Sequence, residues 1–326
     1  MDKKIAYIIA NFGGPRHLKG IRPFLEALLT DRDVIRTRMP KPIHNYLFKR
    51  IAKKRSKKIK SDYESIGGKS PIYEDTEEIA LKIRKELDAP VLTFHRYLPS
   101  THADFLQLVK QTDADEWIIF PLFPQFSYAT TGSIARFFAD NLPKETTLKM
   151  RWIKSYSGHP AFVKCYQKKI KELMAKHHLK EEKTVLLFSA HGLPQTFIEE
   201  GDLYLDECER SFRKILNAFP LALGKLSFQS KFGPGEWIRP YTEDVCQDFE
   251  NWSEGRNTVI FIPLSFTSDH IETLFEVERL YLPIIGEKGI KAVRCDALNH
   301  DEEWIEGIVE IIKESDRTNT KMLIRS

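Results

Sequence analysis

The chain predicts an α/β protein of two similar halves, each a parallel sheet flanked by helices. Three observations carry this. Short, uninterrupted apolar runs alternate with helix-length amphipathic stretches along the chain, as buried parallel strands joined by crossover helices do. A strand-and-turn segment recurs: Lys4-Ile-Ala-Tyr-Ile-Ile-Ala-Asn-Phe-Gly-Gly-Pro15 can be laid on Lys183-Thr-Val-Leu-Leu-Phe-Ser-Ala-His-Gly-Leu-Pro194. A length of 326 residues exceeds one ordinary core and suits two domains of moderate size.

In order, strands are expected over Ile5–Ala10, Val91–Tyr97, Trp117–Pro121, Leu148–Ile153, Thr184–Ser189, Lys225–Gln229, Thr258–Ile262 and Lys291–Arg294. Their apolar runs are short, and turn residues bound them. Helices are expected over Tyr73–Leu87, Thr101–Lys110, Ala161–His177, Leu203–Ala218 and Glu302–Glu314, with a polar tail after the last. A second repeated pair, Phe120-Pro-Leu-Phe123 and Ile262-Pro-Leu-Ser265, lies at a smaller offset than the first. The first half therefore carries extra chain, and the basic segment 33–70 is the candidate. The halves are read as 1–154 and 155–295, with 296–326 as a closing helical segment.

Composition limits the function. Hydrophobic residues at 42% and charged residues at 29% fit a globular protein, and a net charge of +4 does not make the whole molecule a polyanion binder. No apolar run reaches membrane-span length. Met1-Asp2-Lys3-Lys4 runs straight into a strand without a signal-peptide core, so a cytoplasmic protein is expected. Cys165, Cys208, Cys246 and Cys295 are scattered without a C-x-x-C, which gives no support to a zinc ribbon or redox dithiol. Lys49–Lys60 holds eight basic residues in twelve. A solvated helix is the plain reading, and docking on an anionic membrane surface or a partner is the next. Nucleic acid is not expected, because interleaved aromatics and binding motifs are lacking.

In open α/β sheets, ligands sit beyond the carboxyl ends of the strands. The loops Asn11–Pro15, Pro124–Gly132, Ala190–Pro194 and Ser265–Glu272 occupy such positions. His191, at a strand end between small residues, can act as base or metal ligand, although a lone histidine is more often held by loop backbone. Asp269, His270, Glu272 and Glu276 concentrate three carboxylates and an imidazole in one stretch, with Glu272 and Glu276 on one helix face. A capping box would explain Asp269 and Glu272 but would not require His270 or Glu276. Imidazole and carboxylate suit Fe²⁺, yet no H-E-x-x-H or EF-hand spacing is present. Aromatics near these loops, Phe12, Tyr63, Tyr97, Phe123, Phe126, Tyr128 and Trp237, could wall a flat apolar ligand or simply fill a core.

Seven segments in order resemble the ferrochelatase family over nearly the whole chain. They are Asn11–Pro15, Tyr63–Ile72, Arg96-Tyr97, Phe123–Ser127 with Thr130–Ser133, Ser189–Pro194, Gln229–Pro234 with Trp237, and Ser268–Leu274. The resemblance implies two Rossmann-like, chelatase-type domains with the active cleft between them, the basic segment forming a lip, and the last helix packing back on the first half. It implies a lyase of haem biosynthesis that inserts Fe²⁺ into a porphyrin, most readily protoporphyrin IX, with porphyrin and ferrous iron as substrates and other haem-pathway proteins as partners. His191 matches the family's active-site histidine and Glu272 the acidic residue facing it, as catalytic or metal-contacting groups. Asp269 and Glu276 would form an acidic proton or metal path. Phe12, Tyr63, Arg96, Tyr97, Phe123, Ser127 and Trp237 match pocket positions, with Arg96 and Ser127 as candidates for the propionates.

This chain departs from the pattern in three places. Phe123 and Phe126 stand where many relatives have tyrosine. Phe12 occupies a position proposed to touch metal, which phenylalanine cannot ligate. No cysteine follows Cys295, so no iron–sulfur cluster and no permanently bound cofactor are expected. Which of His191 and Glu272 takes protons and which meets iron stays open at this stage. So do coproporphyrin III as substrate, cobalt or nickel insertion into another tetrapyrrole, and a haem or metal carrier without turnover.

Overall fold

The computed structural model describes residues 3–325. Met1 and Asp2, read above as lacking a signal sequence, and Ser326 lie outside the described residues. The chain divides into two compact units, Met1–Ser155 with Ile308–Ser326, and Tyr156–Gly307. The division falls inside the helix Glu302–Glu314.

The first unit holds a five-stranded sheet of β1 (Ile5–Asn11), β2 (Val91–His95), β3 (Glu116–Pro121), β4 (Met150–Ile153) and β9 (Arg317–Thr318), in the order β2-β1-β3-β4-β9. The first four strands run parallel, and β9 pairs antiparallel to β4. Tyr7 lies between Val91 on one side and Ile118 on the other, which sets the register. Ile8, Ile9 and Ala10 are wholly buried, as expected of a central strand covered on both faces.

The second unit holds β5 (Thr184–His191), β6 (Leu223–Gln229), β7 (Thr258–Pro263) and β8 (Lys291–Arg294) in the parallel order β6-β5-β7-β8. The two sheets thus share one strand order, 2-1-3-4 within each set of four. The repeated segments fall on corresponding strands: β1 matches β5, and β3 matches β7. Phe12 follows β1 where His191 ends β5.

The helices follow the apolar spacing. Ile72–Leu87 buries Ile72, Ile79, Ala80 and Ile83 along one stripe and ends at Asp88, whose φ of 45° is left-handed. Each large aliphatic side chain buried this way contributes about 1.5–3 kcal/mol. The basic segment is the helix Lys41–Lys58, which buries only His44 and Ala52.

Three local expectations change. Arg96 and Tyr97 have left β2, and their backbone amides instead bond to Asn11 and Phe12. Leu148 closes a short helix, Lys144–Leu148, before β4 begins at Met150. The tail read as polar supplies β9, a two-residue edge strand too short and too polar to show a period.

Candidate active site

In the second unit, seven buried residues of β5 lead to His191, the first side chain of that strand to emerge. Its backbone amide donates to Ser265 Oγ at 2.9 Å, tying the strand end to the loop after β7. Gly192 follows, and a Cβ there would stand 2.9 Å from the Gln229 carbonyl oxygen, so the close backbone approach requires glycine. Trp237 bridges to Pro194 and is nearly buried against this loop.

The loop after β7 runs into a ten-residue π-helix, Glu272–Tyr281. The expected capping box is absent. The Asp269 amide donates to Asn299 Oδ1 at 2.8 Å, and the Glu272 carboxylate turns elsewhere. Glu272 Oε2 lies 2.8 Å from His191 Nδ1 and accepts from Ser230 Oγ at 2.9 Å. Burial alone would raise the Glu272 carboxyl, but the positive charge of His191 when protonated, with hydrogen bonds from His191 and Ser230, outweighs it and holds the group below the usual carboxylate range. An ionised carboxylate only accepts, so Nδ1 carries the hydrogen and the lone pair of neutral His191 sits on Nε2.

Glu276, one wide turn further on, has its Oε2 2.5 Å from Ser230 Oγ and 3.1 Å from Gln229 Nε2. Burial first, and then the Glu272 charge, push its carboxyl up to about 7. The two carboxylates on one helix thus have opposite tendencies, the separation that acid and base tasks need.

Asp269 lies close by in sequence but is engaged differently. Its Oδ1 accepts from Thr273 Oγ1 and Arg294 Nη1, both at 2.7 Å, and its Oδ2 accepts from Asn299 Nδ2 at 2.9 Å. Arg294 also holds Glu278 and Asp296. The carboxylate expected on a proton or metal path is therefore held by Thr273, Arg294 and Asn299. Burial lowers the His270 imidazole, keeping it neutral with its ring 4.3 Å from Phe266. Among the described residues, no group of three or more His, Cys, Asp or Glu is arranged to hold a metal ion.

In the first unit, Phe12 packs edge-on to Tyr97 with ring centroids 4.5 Å apart, and Asn11 Oδ1 accepts its amide at 2.7 Å. Behind them is a buried network centred on Asp31 Oδ2. Arg96 Nη2 donates to it at 2.8 Å, the Tyr97 hydroxyl at 2.9 Å and Ser133 Oγ at 2.5 Å. Burial raises the Tyr97 phenol well above its ordinary value, so it stays a donor. Phe123 is half-buried against the sheet cluster, and Tyr63 and Ser127 are buried. Ser127 Oγ accepts from the Ala129 amide at 3.1 Å.

Sequence reasoning gave Arg96 and Ser127 to substrate carboxylates. Here Arg96 directs Nε to Ser133 and one Nη to Asp31, while Ser127 caps its own turn. Both hold the loops in place. It missed Asp31, Ser133, Gln229 and Ser230. Of these, Ser133, Gln229 and Ser230 lay inside quoted motifs, but nothing in a linear pattern tells which way a polar side chain points.

The ferrochelatase family model matches residues 4–316. A ferrochelatase from Chlamydia caviae is 44% identical over 321 residues, covering 98% of this chain and 99% of that protein. One from Chlamydia trachomatis is 42% identical over 311 residues, covering 95% and 96%. Among solved structures, CbiX, described as the terminal enzyme for siroheme biosynthesis in denitrifying bacteria, aligns over 96% of this chain and 100% of its own with a TM-score of 0.54 at 16% identity. The sirohydrochlorin chelatase SirB from Bacillus subtilis subspecies spizizenii, in complex with cobalt, aligns over 95% and 94% with a TM-score of 0.54 at 11% identity. These two likenesses show a shared chelatase fold. The chain belongs to the ferrochelatase family, lyases that insert a metal ion into a porphyrin.

Proposed function

We propose that the metal is Fe²⁺, that the porphyrin is protoporphyrin IX, and that His191 accepts the pyrrole protons with Glu272 as its fixed partner. The observation that carries the roles of His191 and Glu272 is the 2.8 Å contact between His191 Nδ1 and Glu272 Oε2 at the carboxyl end of β5.

A free porphyrin holds two inner N–H protons in a planar ring. Metal enters only when the ring puckers and both protons leave. Binding energy from the large apolar ring sustains a few kcal/mol of distortion. The base must then be neutral and aimed by a second group. Glu272 holds Nδ1–H, which puts the basic lone pair on Nε2 and stabilises the imidazolium once a proton arrives. Each turnover takes Fe²⁺ and porphyrin to haem and two protons. Glu276, which is readily protonated near neutral pH, is the next station for those protons. In the first unit, Phe12 and Phe123 present half-buried aromatic carbon, and Tyr97 packs edge-on to Phe12.

The protein is mixed with Fe²⁺ and, separately, protoporphyrin IX or coproporphyrin III, and haem formation is followed by absorbance. Faster turnover with protoporphyrin IX is expected. Preference for coproporphyrin III would overturn the substrate, and stoichiometric binding without turnover would point to a carrier.

We also propose a cytoplasmic location with peripheral attachment to the inner face of the membrane through the helix Lys41–Lys58. Ile43, Tyr46 and Leu47 are 56%, 65% and 40% exposed on its first turns, followed on the same face by Arg50, Lys53, Lys54, Lys57 and Lys58. Apolar groups at headgroup depth beside lysines on anionic lipid is the pattern of an interfacial helix. Among the described residues, no helix is long and apolar enough to cross a membrane.

A further inference from the structure

Ser230 follows β6 in a left-handed backbone conformation, with φ of 63°. This is uncommon outside glycine, asparagine and aspartate, and it persists only where the surroundings over-determine it. Here it aims Oγ between two carboxylates, 2.9 Å from Glu272 Oε2 and 2.5 Å from Glu276 Oε2. The preceding residue reinforces the arrangement. Gln229 Nε2 donates to the Glu272 carbonyl at 3.0 Å and to Glu276 Oε2 at 3.1 Å. Its orientation is fixed in turn, because Ser189 Oγ donates to Gln229 Oε1 at 2.6 Å and contacts Thr242 Oγ1 at 2.9 Å, which bonds Ser227 Oγ at 2.9 Å. All three hydroxyl residues are wholly buried. A buried polar network that fixes the Gln229 amide confers rigidity on what the amide holds.

We propose that Ser230 is a positioning residue for the insertion reaction: its hydroxyl, held by a strained backbone, fixes Glu272 against His191 and couples that pair to Glu276. This rests on the assignment of His191 and Glu272 above. Without the hydroxyl, Glu272 has one side-chain partner fewer, and the imidazole it orients loses its fixed direction. Misplacement of a catalytic group by about 1 Å costs roughly 10²-fold in rate.

The test separates positioning from folding. Glycine accepts a positive φ without strain, so Ser230→Gly removes the hydroxyl while relieving the backbone. The variant is expected to melt at or above the parent temperature and to bind porphyrin within about two-fold, while kcat for Fe²⁺ insertion falls roughly ten- to a hundred-fold. With ¹⁵N-labelled histidine, the His191 Nδ1 resonance, assigned by its loss in His191→Ala, should shift in the variant. Restoring a hydroxyl with Ser230→Thr should recover part of kcat despite poorer backbone fit. A kcat within two-fold of the parent with an unmoved His191 signal overturns the proposal. So does a loss of kcat that tracks losses of stability and porphyrin affinity. If His191→Ala is inactive while Ser230→Gly is fully active, the base assignment stands and the positioning role alone is lost.

Discussion

His191 and Glu272 stand 81 residues apart in the chain and 2.8 Å apart in space. One ends a buried strand and the other opens a π-helix. The contact orients an imidazole, and it takes Glu272 away from the capping role that its sequence neighbourhood offers.

Removing either member should therefore affect chemistry before binding. His191→Ala is expected to lower Fe²⁺ insertion by roughly 10²–10⁴-fold with porphyrin still bound, measured by absorbance and by fluorescence titration. Glu272→Gln keeps the volume but loses the charge, and should also cripple kcat. The double variant should lose little more than the worse single one, since the two groups act as a unit. Near-normal turnover in His191→Ala would transfer the base to another group.

Glu276 gives a pH-dependent signature. Its folded value near 7 lies above the ordinary 4.5. The folded state thus binds more protons across that interval, and the group's contribution to stability declines as pH rises from about 4.5 to 7. Glu276→Gln mimics the neutral form. Its melting temperature should match the parent near pH 4 and exceed it increasingly toward pH 8, read by calorimetry. A constant difference across this range would contradict the assigned environment.

Asp31 gathers three donors on one buried oxygen. Asp31→Asn leaves Arg96 without its counter-charge and should destabilise the first unit by about 3 kcal/mol, measured by urea unfolding. Arg96→Lys, with Asp31 kept, should also destabilise the unit, because one ammonium cannot reach Asp31 and Ser133 in the fork geometry of a guanidinium. Stability unchanged in Asp31→Asn would demote the network.

The helix Lys41–Lys58 can be tested without reference to catalysis. Co-sedimentation with vesicles containing anionic lipid should exceed that with zwitterionic vesicles and fall with added salt. Replacing Lys53, Lys54, Lys57 and Lys58 with glutamate should abolish it, and replacing Ile43, Tyr46 and Leu47 with serine should weaken it at low salt too. Equal binding to both vesicle types would rule out the anionic contact.

Much of this protein is legible in its sequence because the signal is local. Runs such as Ile5–Ala10 and Val185–Phe188 are apolar throughout, as a strand covered on both faces requires, and their repetition with matching turns anticipates the shared strand order. The ordered motifs carried the family. The sequence could also bring His191, Glu272 and Glu276 forward as chemistry-bearing groups, since residue type and position at strand ends are linear properties.

Direction and partnership are not linear properties, and the tertiary structure decided them. Asp269 and Glu272 look interchangeable in the chain, yet one is pinned by Arg294 and Asn299 while the other faces His191. Arg96 reads as a cation offered to a ligand but is turned inward on Asp31. Ser230 reads as a loop serine and becomes the link between two carboxylates. The physical reason is the same in each case. A buried polar group must find a partner or bear a desolvation cost of about 1–3 kcal/mol, and which partner it finds depends on where distant segments are brought by the packing of the sheet.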